Sequence, residues 1–548
     1  MNKQYVGVTI GPITDTLMLT SSPAGLWGAS YLFSWISRRL IHYLVVDYKV
    51  EQSRFVAPFF SVKNNEIFLP EENDIDYEDM WKKGIGLFHD RIIFCSDSLT
   101  NPLEIVAKAR EAVICELTEE IARIESKTES TTNKKDIYEW LDGYIRIYAV
   151  QRESASPLLD LGADLSAMEL EPHFFGLEKY NHLLGIFENI IPCDENHSHM
   201  ELGMKNKLMK QFLLSHRDED AWVLYDNNHM IKDLQDIAAN GANPVMKHTQ
   251  YYAVLKSDGD SMSKILENLI DDEEVRTYSK KCLGFCAKAA QQIYKYGGVP
   301  LYAGGDDLLA LLPLTGTHPE NHEKCTLFGL INYIRTLFNG VFKEDRERFN
   351  GMPTISFGIS IQFYKSPLFE ALERADGLLY RAKLGLKDAC YLHLQKHSGQ
   401  SVLFTEERLN YVNEEGDNLI SALDKLLTNT RIGDINNDDA VLFLSGLGFT
   451  LEQYKNLFYL AIEKTKRTDA ILENLFANLF SNVDQKQFEP YITEIKKLTV
   501  KLIRKNSENE AKAKRRQNEA NQGEGVMYQL QAIIRLLHFM REGGAEKE

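Results

Sequence analysis

Two short stretches hold carboxylates whose spacing could do chemistry: Asp258-Gly259-Asp260 and Gly304-Gly305-Asp306-Asp307. The second lies between the apolar runs 299–303 and 308–312, whose abrupt ends predict two strands joined by a tight two-glycine turn. Adjacent carboxylates at a hairpin tip repel each other and cost stability unless something cationic sits between them. The first stretch closes another apolar run, 251–255, which predicts a strand. Oxygen-only donors of this kind suit Mg²⁺ or Mn²⁺, which take carboxylate, water and substrate phosphate as ligands. Metals held this way can activate a 3′-hydroxyl and stabilise the pyrophosphate leaving in an in-line displacement. Taken alone, the tetrapeptide Gly-Gly-Asp-Asp could equally be a polar turn, since Asp and Gly are ordinary turn residues. Asp258 at the end of the preceding strand favours the metal site.

The elements around these residues explain how they could meet. Between 246 and 400 the pattern predicts a strand at 251–255, a helix at 273–296, the hairpin, a helix at 320–342 and an alternating strand at 354–364. Pro367 then opens a helix at its favoured first position, and a strand at 390–394 closes the sheet. In the long helix, Cys282, Phe285, Ala289 and Ile293 share one face. This is a β-α-β-β-α-β core of the split βαβ kind. Its first strand lies beside the hairpin, so Asp258 is expected next to Asp306 and Asp307. Upstream, residues 1–135 mix strands at 5–10, 43–48, 54–61 and 91–95 with helices at 26–40 and 101–126. Residues 136–245 are expected to be mainly helical, and 401–548 helical only, with a polar stretch at 504–525 before the last helix.

Composition bounds the function. A chain of 548 residues, 44% apolar and 26% charged, is long enough for several folded domains. The formal net charge of −17 argues against a broad basic surface for nucleic acid, while leaving room for a nucleotide site built from local cations and metal. The seven cysteines form no CxxC pair, which excludes a zinc ribbon and fits a reducing, cytoplasmic setting. No apolar run is long enough to span a membrane, and none at the start resembles a signal peptide.

Four blocks in order, "YYAVLKSDGDSMSKIL" (251–266), "YAGGDDLLALLP" (302–313), "ISFGISIQFYKSPLFEALERA" (355–375) and "LLYRAKLGLKDA" (378–389), resemble the catalytic palm of the large subunit of type III CRISPR effector complexes. GGDEF-type nucleotide cyclases are the wider relatives. "TIGPITDTL" (9–17), "LWGASYLFS" (26–34) and "GLFHDRIIF" (86–94) resemble the first palm of the Cmr-type (III-B) branch. The resemblance implies an α+β chain with two ferredoxin-like palm domains: a first palm lacking GGDD (1–135), a helical insert (136–245), the catalytic palm (246–400) and a helical C-terminal domain (401–548). It implies metal ligation and catalysis by Asp258, Asp306 and Asp307, with Asp260 as a helper or a helix cap. It also implies nucleotide contacts at Gly259, Lys264, Gly304, Gly305, Lys383 and Lys387, and a second nucleotide site lined by Gly28 and Ser30. If the helix runs on through Gly385, Lys383 and Lys387 share a face.

The resemblance has departures. The chain is expected to start at the first palm, without the HD nuclease domain of many relatives. His89-Asp90 lacks the upstream histidines a dinuclear site needs and is expected to be part of the palm. Cys193, His197 and His199 are expected to be surface residues, and Ser261 stands where relatives often have Asn. The function implied is an RNA-activated nucleotidyltransferase using Mg²⁺ or Mn²⁺. It would convert ATP into cyclic oligoadenylate or join ATP to S-adenosylmethionine, within a complex with other subunits, guide RNA and target RNA. A catalytically silent scaffold of the same complex and a free-standing GGDEF-like cyclase are the alternatives.

Overall fold

The computed structural model describes residues 3–69, 80–125, 133–170, 232–242, 246–410, 418–428, 437–458, 468–479, 486–513 and 522–542, positions 19, 82 and 270 apart. Cys193, His197 and His199 lie outside these, as does most of the expected helical insert.

Two sheets organise the chain, and both have the same strand order. In the first, β1 (Lys3–Gly11) is buried through its middle and lies between β3 (Arg91–Cys95) and β4 (Arg146–Ser154). Beyond β3 lies the short β2 (Phe55–Ala57). The order β2-β3-β1-β4 is wholly antiparallel and is that of the ferredoxin-like fold. Helix α1 (Pro23–His42) connects the first two strands. Ser22 caps it by accepting the Gly25 amide at 3.1 Å, and Pro23 takes the first turn, where a missing N–H costs nothing. Helix α2 (Pro102–Glu125) connects the last two.

Two expectations change here. Residues 43–48, rich in β-branched and aromatic side chains, are not a strand: Tyr43–Asp47 is a π-helical continuation of α1. Packing of that turn against α2 overrides the strand propensity of Val45 and Val46. Second, the expected helical stretch after 135 supplies β4, which pairs along the whole of β1. The first palm needs it as its fourth strand. Its outer half, Gln151-Arg-Glu153, is exposed and polar and leaves no alternating hydrophobic pattern.

The second sheet is built on β5 (Tyr251–Asp260), which the hydrophobic pattern marks clearly; Tyr251 to Leu255 are all buried. After α3 (Asp272–Tyr296) come β6 (Val299–Gly304) and β7 (Asp307–Pro313), then α4 (Leu327–Val341), β8 (Thr354–Phe363), α5 (Leu368–Leu384) and β9 (Cys390–Gln395). The four strands β8-β5-β7-β6 repeat the ferredoxin-like order, antiparallel throughout. Strand β9 adds to β8 in parallel, as the intervening helix α5 requires. It does not close the sheet. β10 (Ser401–Glu406) pairs beyond it, so the all-helical tail begins only after 406. The expected helix start at 320 also moves to Leu327, because Lys324–Thr326 pairs with Thr315–Thr317.

Past the second sheet the described residues are helical, including α6 (Asn437–Gln453), α7 (Glu489–Ala513) and α8 (Gln522–Arg541). Helix α7 runs into the polar stretch expected to separate the last helix. One hydrophobic core extends through both sheets and onto α8. No helix among the described residues is long and apolar enough to cross a membrane.

Candidate active site

The geometry of the hairpin puts the carboxylates together. Ser257 is the last β5 residue to pair with β7, opposite Leu308, so Asp258 emerges one step beyond, level with the turn. Gly304 pairs with Asp307 and closes the hairpin, and Gly305 sits at φ 67°, a conformation few side chains tolerate. A carboxylate oxygen from each of Asp258, Asp306 and Asp307 lies within 4.8 Å of the others. That is the three-carboxylate donor set a hard divalent cation takes. Gly259 makes the approach possible: a Cβ there would lie 2.6 Å from Asp306 Oδ2.

Electrostatics agree with a site built for a cation. Burial, then the charge of Asp258, pushes the Asp306 carboxyl up to about 7. Burial also pushes Asp307 well up, with Asp258 and Asp306 adding to it. Beneath the turn, the Cys286 thiol, kept protonated by burial, donates to the carbonyls of Gly305 (3.2 Å) and Asp307 (3.5 Å).

Lys383, at the end of α5, makes an ion pair with Asp258 and donates to the Gly259 carbonyl at 2.9 Å. It thus lies at the carboxylate cluster. Lys387 does not share its helix face. Helix α5 ends at Leu384, Gly385 caps it, and Lys387 follows in a left-handed turn at φ 62°. Lys264 is exposed on a five-residue helix and leans towards Met352, with Nζ 3.9 Å from Sδ.

Asp260 has a different task from the one expected. Its side chain is 1% exposed, and Oδ2 accepts from Thr354 Oγ1, Ser356 Oγ and the Asp388 amide, each at 2.8 Å. It neither joins the metal cluster nor caps a helix; it ties β5 to β8 and to the loop after α5. Asp388 in turn receives the Asn410 amide and Asn410 Nδ2, both at 2.8 Å.

A cavity of about 340 Å³ opens beside the cluster, between the two palms. Asp258, Asp307 and Tyr302 line it from the second palm, and Ser30, Ser34 and Asp90 from the first. Ser30 Oγ donates to the Leu301 carbonyl at 3.2 Å, linking α1 to the hairpin. Gly28 is buried in α1 and is not among the lining residues, which fits a packing role. The ion pair Lys256–Asp376, also on the cavity wall, was not anticipated. A signal for it exists: Asp376 precedes Lys383 by seven residues on one helix, two turns along the same face.

The first palm also reaches the turn. Gly86 forms a parallel bridge with Tyr302, and its carbonyl accepts the Ala303 amide at 2.8 Å. The next residues bring His89 against Gly305 and Asp90 to the cavity, with His89 Nδ1 2.8 Å from Asp90 Oδ1. Burial opposes charge on His89, but Asp90 and then Asp306 outweigh it and raise the imidazole.

Residues 251–391 match the family described as Cas10/Cmr2, second palm domain. The CRISPR system Cmr subunit Cmr2 of Pyrococcus furiosus is 28% identical over 196 residues, covering 31% of this chain and 21% of that protein. The chain therefore matches only about a fifth of that relative's length. Among solved structures, a type III-B Cmr-beta complex in its apo state aligns with a TM-score of 0.54 at 12% identity, covering 86% of this chain and 77% of that one. A Csm1–Csm4 cassette in complex with cA4 aligns with a TM-score of 0.52 at 12% identity, covering 99% and 70%. These structures agree with the two-palm fold. The turn that gathers Asp258, Asp306 and Asp307 lies inside the stretch that matches the second palm domain of Cas10/Cmr2.

Proposed function

We propose that this chain is the RNA-activated nucleotidyltransferase subunit of a type III CRISPR effector complex, converting ATP into a second messenger. The observation that carries the reading is the convergence of three carboxylates on a cavity shared by two palms. A scaffold has no need to bring repelling carboxylates together at the mouth of a nucleotide-sized cavity.

In the reaction, the 3′-hydroxyl oxygen of one nucleotide bonds to the α-phosphorus of ATP. The bond from that phosphorus to the bridging oxygen breaks, pyrophosphate leaves with the electron pair, and the hydroxyl proton passes to water. Asp258, Asp306 and Asp307 would hold a divalent cation, Mg²⁺ or Mn²⁺, whose charge would make the hydroxyl more acidic and offset that of the leaving group. Lys383 steadies Asp258 and keeps a positive charge next to the cluster, where a departing pyrophosphate gains negative charge. Ser30, Ser34, Tyr302 and the Lys256–Asp376 pair offer polar contacts to the partner nucleotide. Lys264 and Lys387 remain candidates for the triphosphate tail. Gly304 and Gly305 let the backbone approach it.

The product is cyclic oligoadenylate or ATP joined to S-adenosylmethionine. The partners are the other subunits of the complex, guide RNA and target RNA. An acidic chain relies on them to hold the RNA. The test is incubation of the assembled complex with target RNA, labelled ATP and Mn²⁺, with and without S-adenosylmethionine, followed by mass spectrometry. Oligoadenylates or an adenylated S-adenosylmethionine are expected only with target RNA. Absence of any nucleotide product from an intact complex would return the chain to a scaffold.

A further inference from the structure

The C-terminal helices leave a second cavity, of about 740 Å³, that shares no lining residue with the one between the palms. Its walls are the turn between β9 and β10, the start of β10, one side of α6 and one side of α8. These walls are fixed to one another. The Lys396 amide donates to the Gln400 carbonyl at 2.8 Å and shapes the turn. Gln529 of α8 accepts the Thr405 amide of β10 at 3.3 Å. Ile534 of α8 packs at Gly448 of α6, where a Cβ would lie 3.6 Å from Ile534 Cγ2.

The charge of this cavity is unusual for a chain whose formal net charge is −17. Two cations line it, Lys396 and Arg535, and neither has a carboxylate within ion-pair distance among the described residues. Lys396 is half-buried, with Nζ 5.6 Å from the centre of the Phe539 ring. Burial lowers its ammonium, Glu542 opposes this, and the charges of Lys247 and Arg535 lower it further. The two acids at hand are already engaged: Glu452 by Lys455 at 2.7 Å and by Gln531, and Glu542 by Lys247 at 2.7 Å. His538 is lowered by burial, against Glu542 and with Lys396 and Lys247, so its ring adds no charge of its own. Like charges gathered without a counter-charge cost stability, and an anion between them offsets that cost.

We propose that this cavity is a nucleotide-binding site, with the phosphates held by Lys396 and Arg535 and the base laid against Phe449. The guanidinium offers a planar fork of donors to phosphate oxygens, and the ammonium a point charge. Gln400, Ser401 and Ser445 add hydrogen-bonding groups to the same walls. Phe449 lines the cavity and is 71% exposed, an apolar face that a base covers by stacking. A cavity of this size takes a whole nucleotide, whereas a free phosphate ion would leave the aromatic wall bare. The site is independent of the proposed reaction, because no carboxylate of the metal cluster lines it.

The test is equilibrium dialysis of the full purified chain against labelled ATP in EDTA. Without metal, the three carboxylates between the palms repel a triphosphate, so binding there is suppressed. Wild type is expected to retain metal-free ATP binding, and Ser30→Leu, which fills the cavity between the palms, to leave it unchanged. Lys396→Ala and Arg535→Ala are each expected to weaken it roughly tenfold, the loss of a hydrogen bond to a charged group. Lys396→Arg keeps the charge and is expected to keep most of the affinity. Melting temperatures are expected to be unchanged, since neither cation has an ion pair to lose. No metal-free binding by wild type, unchanged binding in the Lys396→Ala, Arg535→Ala double variant, or loss of binding on Ser30→Leu overturns the proposal. So does displacement of the ATP by an equimolar amount of inorganic phosphate, which would leave the base without a contact.

Discussion

In the proposed reaction Asp306 and Asp307 hold the cation, and they contribute little to the core. Replacing both by Asn keeps their shape and removes their charge. Nucleotide synthesis by the double variant is expected to fall to background while the complex still assembles; retained synthesis, or loss of assembly, would contradict their role as ligands. Their surroundings also set a pH dependence. An unfolded Asp titrates near its ordinary value of 3.8, whereas Asp306 in the fold holds its proton up to about 7. Between those values the folded state binds more protons, so stability falls as pH rises through this window. Asp388, also pushed up to about 7 by burial, acts in the same direction. Without metal, the melting temperature is expected to drop from pH 5 to pH 8, and Asp306→Asn is expected to flatten part of that drop. Mn²⁺ at pH 8 should recover it. A wild-type slope equal to that of the variant would show that Asp306 is not the titrating group.

At the scale of elements, the site depends on how closely β5 approaches the hairpin. Gly259 is where that distance is decided. Gly259→Ala places a methyl group 2.6 Å from Asp306 Oδ2 and 2.9 Å from the Met262 side chain. β5 cannot retreat at this point, since Gly259 pairs with Ile355 of β8 and the strand is held by β7 up to Ser257. The side chain of Asp306 must turn away instead. Mn²⁺ affinity and synthesis are both expected to fall at least tenfold, with only a small change in melting temperature; normal Mn²⁺ binding would show that the turn adapts. The loop after α5 works differently. Asp260 and Asn410 pin it through Asp388, which fixes where α5 ends and so where Lys383 stands.

The whole molecule places two ferredoxin-like sheets so that α1 of one faces the hairpin of the other, and the cavity belongs to neither alone. Ser30 is a direct probe of that arrangement. Ser30→Leu removes one hydrogen bond to Leu301 and fills cavity volume without touching a carboxylate. The ATP concentration for half-maximal synthesis is expected to rise at least tenfold while Mn²⁺ binding stays normal. An unchanged ATP dependence would place the nucleotide elsewhere.

Much of the second palm was legible in the sequence, because strands and amphipathic helices leave periodic patterns that depend only on neighbouring residues. The hairpin, the central place of the 251–260 strand and the meeting of Asp258 with Asp306 and Asp307 all followed from that order. Exposed edge strands leave weak patterns, so Arg146–Ser154 and Ser401–Glu406 were hidden until their pairing partners were known. The direction of a side chain is also not a local property. Two carboxylates separated by one glycine, Asp258 and Asp260, look equivalent in sequence; hydrogen bonds from the Thr354 and Ser356 hydroxyls of β8 hold Asp260 in the structure and leave Asp258 at the site. His89 and Gly305 are far apart in the chain, and only the packing of one palm on the other makes them neighbours.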